Sequence, residues 1–275
     1  MRELTIGKND AGQRLDRFLS KALPLLPPAL AQKYIRIKRV KVNGGRAQRD
    51  QRLSAGDVLQ LYINDEFFDK PSEENLFLTL FKPRLTVVYE DEHLLLADKP
   101  QGMVVHADET EKVNTLINHI QAYLYQKREW NPKWENAFTP ALCNRIDRNT
   151  GGIVIAAKDA ETLRVINEKI RDRELDKRYL CITAGRPKKP EGRVECFLLK
   201  DEQKKQVSVY HKPIPGGKTA ITDYKVLETR GELSLVEIGL ETGRTHQIRA
   251  TMADLGCPLL GDGKYGRGDV NRRYG

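Results

Sequence analysis

The sequence has few cysteines, and no two of them are close. Cys143, Cys181, Cys196 and Cys257 lack the close pairing that holds zinc, and no His-Glu-x-x-His or carboxylate cluster points to another metal. No run of about 18 apolar residues occurs, so no membrane span is expected. Met1 to Asp10 is polar and charged, without the apolar core of a signal peptide. Free thiols and no export signal predict a reducing cytosol, hence a cytoplasmic protein. Internal repeats and low-complexity tracts are missing too. Gly217-Lys218-Thr219 mimics the end of a phosphate-binding loop, but Lys212 stands where the first glycine belongs, and a strand is expected to follow. Gly151-Gly152 lacks the spaced third glycine of a dinucleotide site. No Gly-x-Ser-x-Gly elbow marks a hydrolase.

Charge is abundant and unevenly placed. Of the net +9, residues 1–60 supply +8 with 13 Lys+Arg and 5 Asp+Glu. The rest of the 275 residues balance 34 basic against 33 acidic groups. A compact basic module beside a near-neutral body suggests a grip on nucleic acid rather than a merely solvated surface. The length predicts one large domain plus a smaller one.

In the basic end, Leu15, Phe18, Leu19 and Ala22 have helical spacing. Pro27 and Pro28 punctuate, and Leu30, Tyr34 and Ile37 fit one face of a second helix. Val40 and Val42 alternate into the tight-turn pair Asn43-Gly44, and a strand is expected at Val58–Ile63. Residues 64–85 read as an acidic linker carrying Asp65, Glu66, Asp69, Glu73 and Glu74, interrupted by Pro71 and Pro83.

Beyond it, strands are expected at Val87–Tyr89 and Leu94–Ala97 around the turn Glu90–His93. A helix is expected over Thr115–Tyr125 and a buried strand at Ile153–Ala157. Asp159 is placed to cap a helix bearing Leu163, Ile166 and Ile170. Strands follow at Arg178–Thr183, Arg193–Leu199, Ala220–Leu227 and Leu233–Leu240. Strands outnumber helices and are often consecutive, which predicts an α+β domain with a mixed, mostly antiparallel sheet.

The stretch from Asn144 to Ala157 sets Asp147 between Arg145 and Arg148, in a polar turn running into an apolar strand. Guanidinium groups nearby favour the ionised carboxylate. Such a group is either an ion-pair partner of Arg145 or Arg148, or a catalytic carboxylate on a rigid mount. His106 and His246 are open to acid/base work or to packing.

Two resemblances bear on that choice. Arg14-Leu15-Asp16-Arg17-Phe18-Leu19, Tyr34-Ile35-Arg36, Val40-Lys41-Val42-Asn43-Gly44 and Gly56-Asp57-Val58 resemble the S-four-type RNA-binding domain, across most of residues 12–63. Lys38 stands where that family often has glycine, and a differently shaped turn is expected there. In the remainder, Asp91 to His106, the Asp147 stretch, Lys177 to Gly185, and Thr242 to Arg249 with its continuation to Gly266 resemble the RluA-type pseudouridine synthases, in that family's order.

The resemblance implies the pseudouridine synthase type of α+β fold, with residues 1–63 as an RNA-binding domain, 64–85 as a linker and 86–275 as a catalytic domain. It implies an isomerase that detaches uracil from its ribose, turns it and rejoins it through carbon, with no cofactor and no metal. Asp147 matches the essential aspartate, Tyr179 the active-site tyrosine and Arg249 the arginine that pairs with the aspartate. Arg145 matches the group that displaces the target nucleotide; Ile248, Arg148, His246 and Lys99 would support the substrate. Arg14, Arg17, Arg36, Lys38, Arg39 and Lys41 would grip RNA phosphates in a salt-sensitive way. Ribosomal RNA of the large subunit is the first expectation as substrate, transfer RNA the alternative, and the protein is expected to be a monomer. Non-catalytic RNA binding and base hydrolysis are the other readings; hydrolysis calls for a second carboxylate, and none is evident near Asp147. Asn144, Asn149 and Gly152 depart from the family's usual His, Asp and Ser. The family commonly continues past this segment, so either a short member or a sequence lacking the usual C-terminal end is expected.

Overall fold

The computed structural model describes residues 1–68 and 72–274. Asp69 and Pro71 of the expected linker, and the side chains of Glu73 and Glu74, lie outside the described residues. The chain divides into two units, Met1–Glu168 and Lys169–Gly275.

The first unit opens on a strand that sequence polarity concealed, β1 (Arg2–Thr5). Helices α1 (Leu15–Ala22) and α2 (Pro28–Arg36) follow, then β2 (Val40–Val42), β3 (Gly45–Arg46) and β4 (Val58–Leu61). The four strands make one antiparallel sheet in the order β1-β4-β2-β3. Helix α1 buries the predicted face of Leu15, Phe18, Leu19 and Ala22 against Val40, Leu59 and Leu61. In α2 the buried face is Ala31, Tyr34 and Ile35. Ile37 lies past the helix end and is exposed, so it does not complete the expected face. Asn43 and Gly44 take φ of 51° and 75°, the paired left-handed residues that a type I′ hairpin turn requires. Lys38 also sits at φ 63°. It therefore takes the backbone conformation a glycine adopts most readily, in place of the reshaped turn the substitution suggested.

The segment expected as a linker is partly packed. It contains two short 3-10 helices, Asp65–Phe68 and Ser72–Thr79. Phe67 and Phe68 rest on the first core, and Phe77 is buried against Trp130 with ring centroids 5.2 Å apart. Then come β5 (Thr86–Glu90), β6 (Leu94–Lys99), α3 (Leu116–Gln126), β7 (Ala141–Leu142) and β8 (Gly152–Ala157). Their antiparallel sheet has the order β5-β6-β8-β7, and α3 buries Leu116, Ile120 and Leu124 in the core with Leu95, Ala97, Val154 and Ala156. Ile153 is the exception in the strand expected to be buried: it is exposed, because alternate residues of β8 point away from that core. Polar bonds join the first ten residues to the rest of this unit: Asn9 to Glu135 at 2.9 Å, and Asn136 to the Thr5 carbonyl and to Asp10 at 2.7 and 2.9 Å. Helix α4 (Ala160–Arg171) is capped by Asp159, whose Oδ1 accepts from the Thr162 amide at 2.7 Å.

The second unit is a five-stranded antiparallel sheet of β9 (Lys177–Ala184), β10 (Glu191–Asp201), β11 (Gln206–Tyr210), β12 (Lys218–Arg230) and β13 (Leu233–Leu240). Their order is β11-β10-β12-β13-β9. Helices α5 (Gln247–Asp254) and α6 (Gly268–Tyr274) complete it. Met252 of α5 lies in one core with Tyr224, Val236, Ile238 and Cys257, against which Tyr179, Cys181 and Ile248 pack. Strand β11 and helices α5 and α6 were not foreseen. Every strand ladder is antiparallel; the one parallel pairing among the described residues is an isolated bridge between Val104 and Thr115.

Candidate active site

In the first unit, Asp147 sits in the loop between β7 and β8, and that loop is tied down at both ends. On entry, Asn144 stands in for a strand partner: its Oδ1 accepts from the Ile155 amide at 2.8 Å and its Nδ2 donates to the Ile153 carbonyl at 3.3 Å. The departure from the family's histidine thus leaves a residue that holds the loop to β8. Within the turn, the Thr150 amide donates to the Asp147 carbonyl at 3.0 Å. On exit, Gly152 takes φ 124°, a conformation that a serine there would strain to reach.

Lys99, at the end of β6, anchors the middle of the loop. Its side chain is fully buried, and its ammonium donates to the carbonyls of Pro100, Met103 and Arg148 at 2.9, 2.8 and 3.0 Å. Three donors thus meet three acceptors, and one acceptor belongs to the residue after Asp147. Burial pulls the Lys99 pKa down to about 8, while the Asp147 charge acts in the opposite direction. Lys99 is therefore a positioning group at the aspartate's base. The Arg148 guanidinium is engaged by Asp108 at 2.8 Å and by the Thr110 hydroxyl at 2.5 Å, not by the Asp147 pairing that the sequence left open. Hydrogen bonds from Thr110 and Arg148 hold the Asp108 carboxyl far below the usual carboxylate range. Arg145 is exposed.

In the second unit, Tyr179 lies on β9 opposite Ile238 of β13, half-buried against the same core that Ile248 joins. Arg249 projects from α5 and is forked by Asp262: Nε donates to Oδ2 at 2.7 Å and Nη2 to Oδ1 at 2.9 Å. Burial pushes the Asp262 pKa up, but Arg249 and the amides of Lys264 and Tyr265 outweigh it, and the carboxyl lies below its ordinary value. The Arg249 guanidinium is also 5.2 Å from the Tyr265 ring centroid. His246, at the N-terminus of α5 with φ 53°, meets the Tyr265 hydroxyl through Nδ1 at 2.9 Å, and that hydroxyl accepts from the Val207 amide at 2.7 Å. Gln247 locks the start of α5: it is buried, accepts from Thr242 Oγ1 and the Arg244 amide, and donates to the Ile221 carbonyl and Thr222 Oγ1.

Each unit thus gathers its own set: Lys99, Asp147 and Arg148 in the first; Tyr179 with Ile248, and Arg249 with His246 around Tyr265, in the second. Sequence reasoning missed Asp262, Tyr265 and Gln247 as supports, although the Gly-Asp-x-x-Tyr-Gly segment carried two of them. Of the basic residues expected to grip RNA, Arg36 lines a cavity of about 640 Å³ with Lys33, Arg46 and Arg49. Lys38, Arg39 and Lys41 line another. Arg17 is exposed on α1. Arg14 belongs to neither cavity; it is forked by Asp16 at 3.1 and 2.7 Å. Among the described residues no group of His, Cys, Asp or Glu is placed to hold a metal, and no helix is long and apolar enough to cross a membrane.

Comparison with known proteins finds one family model that runs through residues of both units and a second within the first. Residues 93–254 match the family model described as RNA pseudouridylate synthase, and residues 13–59 match the S4 domain. An uncharacterized RNA pseudouridine synthase of Mycoplasma genitalium is 32% identical, over 94% of this chain and 80% of the relative. The ribosomal large subunit pseudouridine synthase C of Rickettsia prowazekii is 32% identical over 94% of this chain and 83% of its own. Synthase D of Borreliella burgdorferi is 31% identical over 98% and 79%. The solved structure of human RNA Pseudouridylate Synthase Domain Containing 4 shares the fold, with a TM-score of 0.56 at 24% identity, over 72% of this chain and 74% of that one. The chain belongs to the RNA pseudouridylate synthase family, a family of isomerases, and carries an S4 domain ahead of its catalytic portion.

Proposed function

We propose that this protein converts uridines of large-subunit ribosomal RNA to pseudouridine, with Asp147 as the reacting carboxylate. The observation that carries the proposal is the loop of Asp147, held by a buried ammonium bonded to three carbonyls and by Asn144 at its entry. A carboxylate on so fixed a mount can act at the sugar, either by attacking the anomeric carbon or by assisting loss of the base and a sugar proton. In this reading Tyr179 offers its ring to the uracil and its hydroxyl for proton transfer, and Arg249, oriented by Asp262, is the arginine that the family resemblance assigns to the aspartate. Arg145, exposed two residues before Asp147, fills the space of the extruded nucleotide, whose removal from the stack costs on the order of a few kcal/mol. Ile248 gives apolar contact; Lys99, Arg148 and His246 act through the backbone and side chains they hold.

The ribosomal substrate is favoured because relatives similar over nearly the whole chain are named for the large ribosomal subunit. Residues 1–63 supply the grip and 86–275 the chemistry in this reading, and the protein works in the cytoplasm as a monomer. The test is incubation of purified protein with unmodified ribosomal and transfer RNA, followed by chemical mapping of pseudouridine. New pseudouridine in large-subunit RNA is the expected result. Modification of transfer RNA alone would move the substrate, free uracil would mean hydrolysis, and no product with tight binding would mean a non-catalytic binder.

A further inference from the structure

We propose that the basic head carries a stacking site for one unpaired nucleotide of the RNA, with the Tyr62 ring as platform and Lys38, Arg39 and Lys41 holding the flanking phosphates. This rests on RNA being the partner.

The two basic cavities of the head differ in kind. The one around Lys33, Arg36, Arg46 and Arg49 has no aromatic residue in its lining. The other, of about 640 Å³, has Tyr62 in its lining together with Met1, Lys38, Arg39, Lys41 and Asn64.

Tyr62 follows β4 directly and is 41% exposed, pointing to the opposite side from the buried Leu61 and Ile63. Its backbone is tied to the basic segment: its amide donates to the Arg39 carbonyl at 2.8 Å. The Lys41 ammonium lies over the ring, 5.5 Å from its centroid. A base stacking on that face takes the place of the ammonium, which is then free to meet the neighbouring phosphate. Lys38 is turned out by its left-handed backbone and is exposed, as is Arg39.

No carboxylate lines the cavity. Of the acidic groups that follow, Asp65 is engaged by Arg2 at 3.0 Å, and Glu66 accepts at 3.4 Å from Asn64 at the cavity's edge. An exposed ring beside three cationic side chains is the recurring chemistry of single-strand recognition: stacking tolerates any base, and the cations follow the backbone. A paired base offers no open face, so the site selects RNA with a bulge or a single-stranded segment.

The test uses the full chain and two labelled RNAs of equal length, one fully paired and one with an unpaired segment, at two salt concentrations. Tyr62→Ala is expected to weaken binding of the unpaired RNA about five- to 150-fold, with its salt dependence unchanged. The paired RNA should shift less than about twofold on the same stacking grounds. Tyr62→Phe should bind as the parent does; Tyr62→Leu, which keeps apolar bulk without a ring, should lose as the alanine variant does. Arg39→Ala should instead lower the salt dependence for both RNAs. Equal losses for both RNAs, or no loss, on Tyr62→Ala and Tyr62→Leu overturn the proposal. Pseudouridine mapping run alongside separates the two claims. Product formation with Tyr62 inert removes only the stacking site; Tyr62-dependent binding without product removes only the activity.

Discussion

Lys99 shows how much one side chain can fix. Replacing it with Met leaves the carbonyls of Pro100, Met103 and Arg148 without the donor they share. Lys99→Met is therefore expected to cost about 1–3 kcal/mol, read from denaturant midpoints, and to lower turnover more than RNA binding. The pH dependence has a definite sign. The folded pKa of about 8 lies below the ordinary 10.5. Burial of the protonated amine thus costs stability below pH 8, and the cost fades as pH rises toward the unfolded value. Stability of the parent relative to Lys99→Met should therefore rise between pH 8 and 10; a flat or falling difference would contradict it. Asp262 acts through another residue in the same way. Asp262→Asn keeps the shape but removes the charge that forks Arg249, and turnover should fall about tenfold or more with little change in KM. Arg249→Lys should not restore it, because a lysine cannot make both bonds of the fork.

At the scale of elements, the head depends on the start of α1. Asp16 there accepts from Arg14 at 2.7 Å and from Arg49 at 3.0 Å. The Arg14 bond, opposed by burial and reinforced by Arg49, pulls the Asp16 carboxyl down to about 2 from 3.8. A carboxylate whose folded pKa is depressed contributes stability above its unfolded pKa and loses it as pH falls through the folded one. The head should therefore weaken between pH 4 and 2 in thermal melts, and Asp16→Asn should flatten that response. Arg14 was legible as a basic residue but not as a tie to Asp16, since composition shows charge and not its partner. Elements with strong periodicity were readable: α1, α3, β8 and the long strands of the second unit declare themselves through spacing. Strand β1 was not, because Arg2-Glu3-Leu4-Thr5 offers one apolar residue, and its strand state comes from pairing with β4. Helix α5 was hidden for a different reason. Its sequence begins in a motif, and its N-terminus is held by Gln247 bonding to Ile221 and Thr222 of β12, a long-range contact no local pattern contains. Asp147, Tyr179 and Arg249 could be named from motifs; Lys99's three carbonyl acceptors and Asp262's fork are geometry and had to be seen.

For the whole molecule, the excess of positive charge in the first 60 residues supports the proposed separation of gripping from chemistry. In that reading, phosphate contacts made by the head supply affinity and salt dependence whatever the fate of one carboxylate in a loop between β7 and β8. Binding and turnover should thus be separable by a single substitution. The most direct measurement pairs the parent and Asp147→Asn on unmodified large-subunit ribosomal RNA, with binding and pseudouridine formation followed in the same samples. Unchanged binding, within about twofold, and no detectable pseudouridine from the variant are expected, since the lost charge leaves the loop and the head in place. Pseudouridine formed by Asp147→Asn at the parent's rate, or equal loss of binding and turnover, would contradict the assignment of Asp147 as the chemical centre.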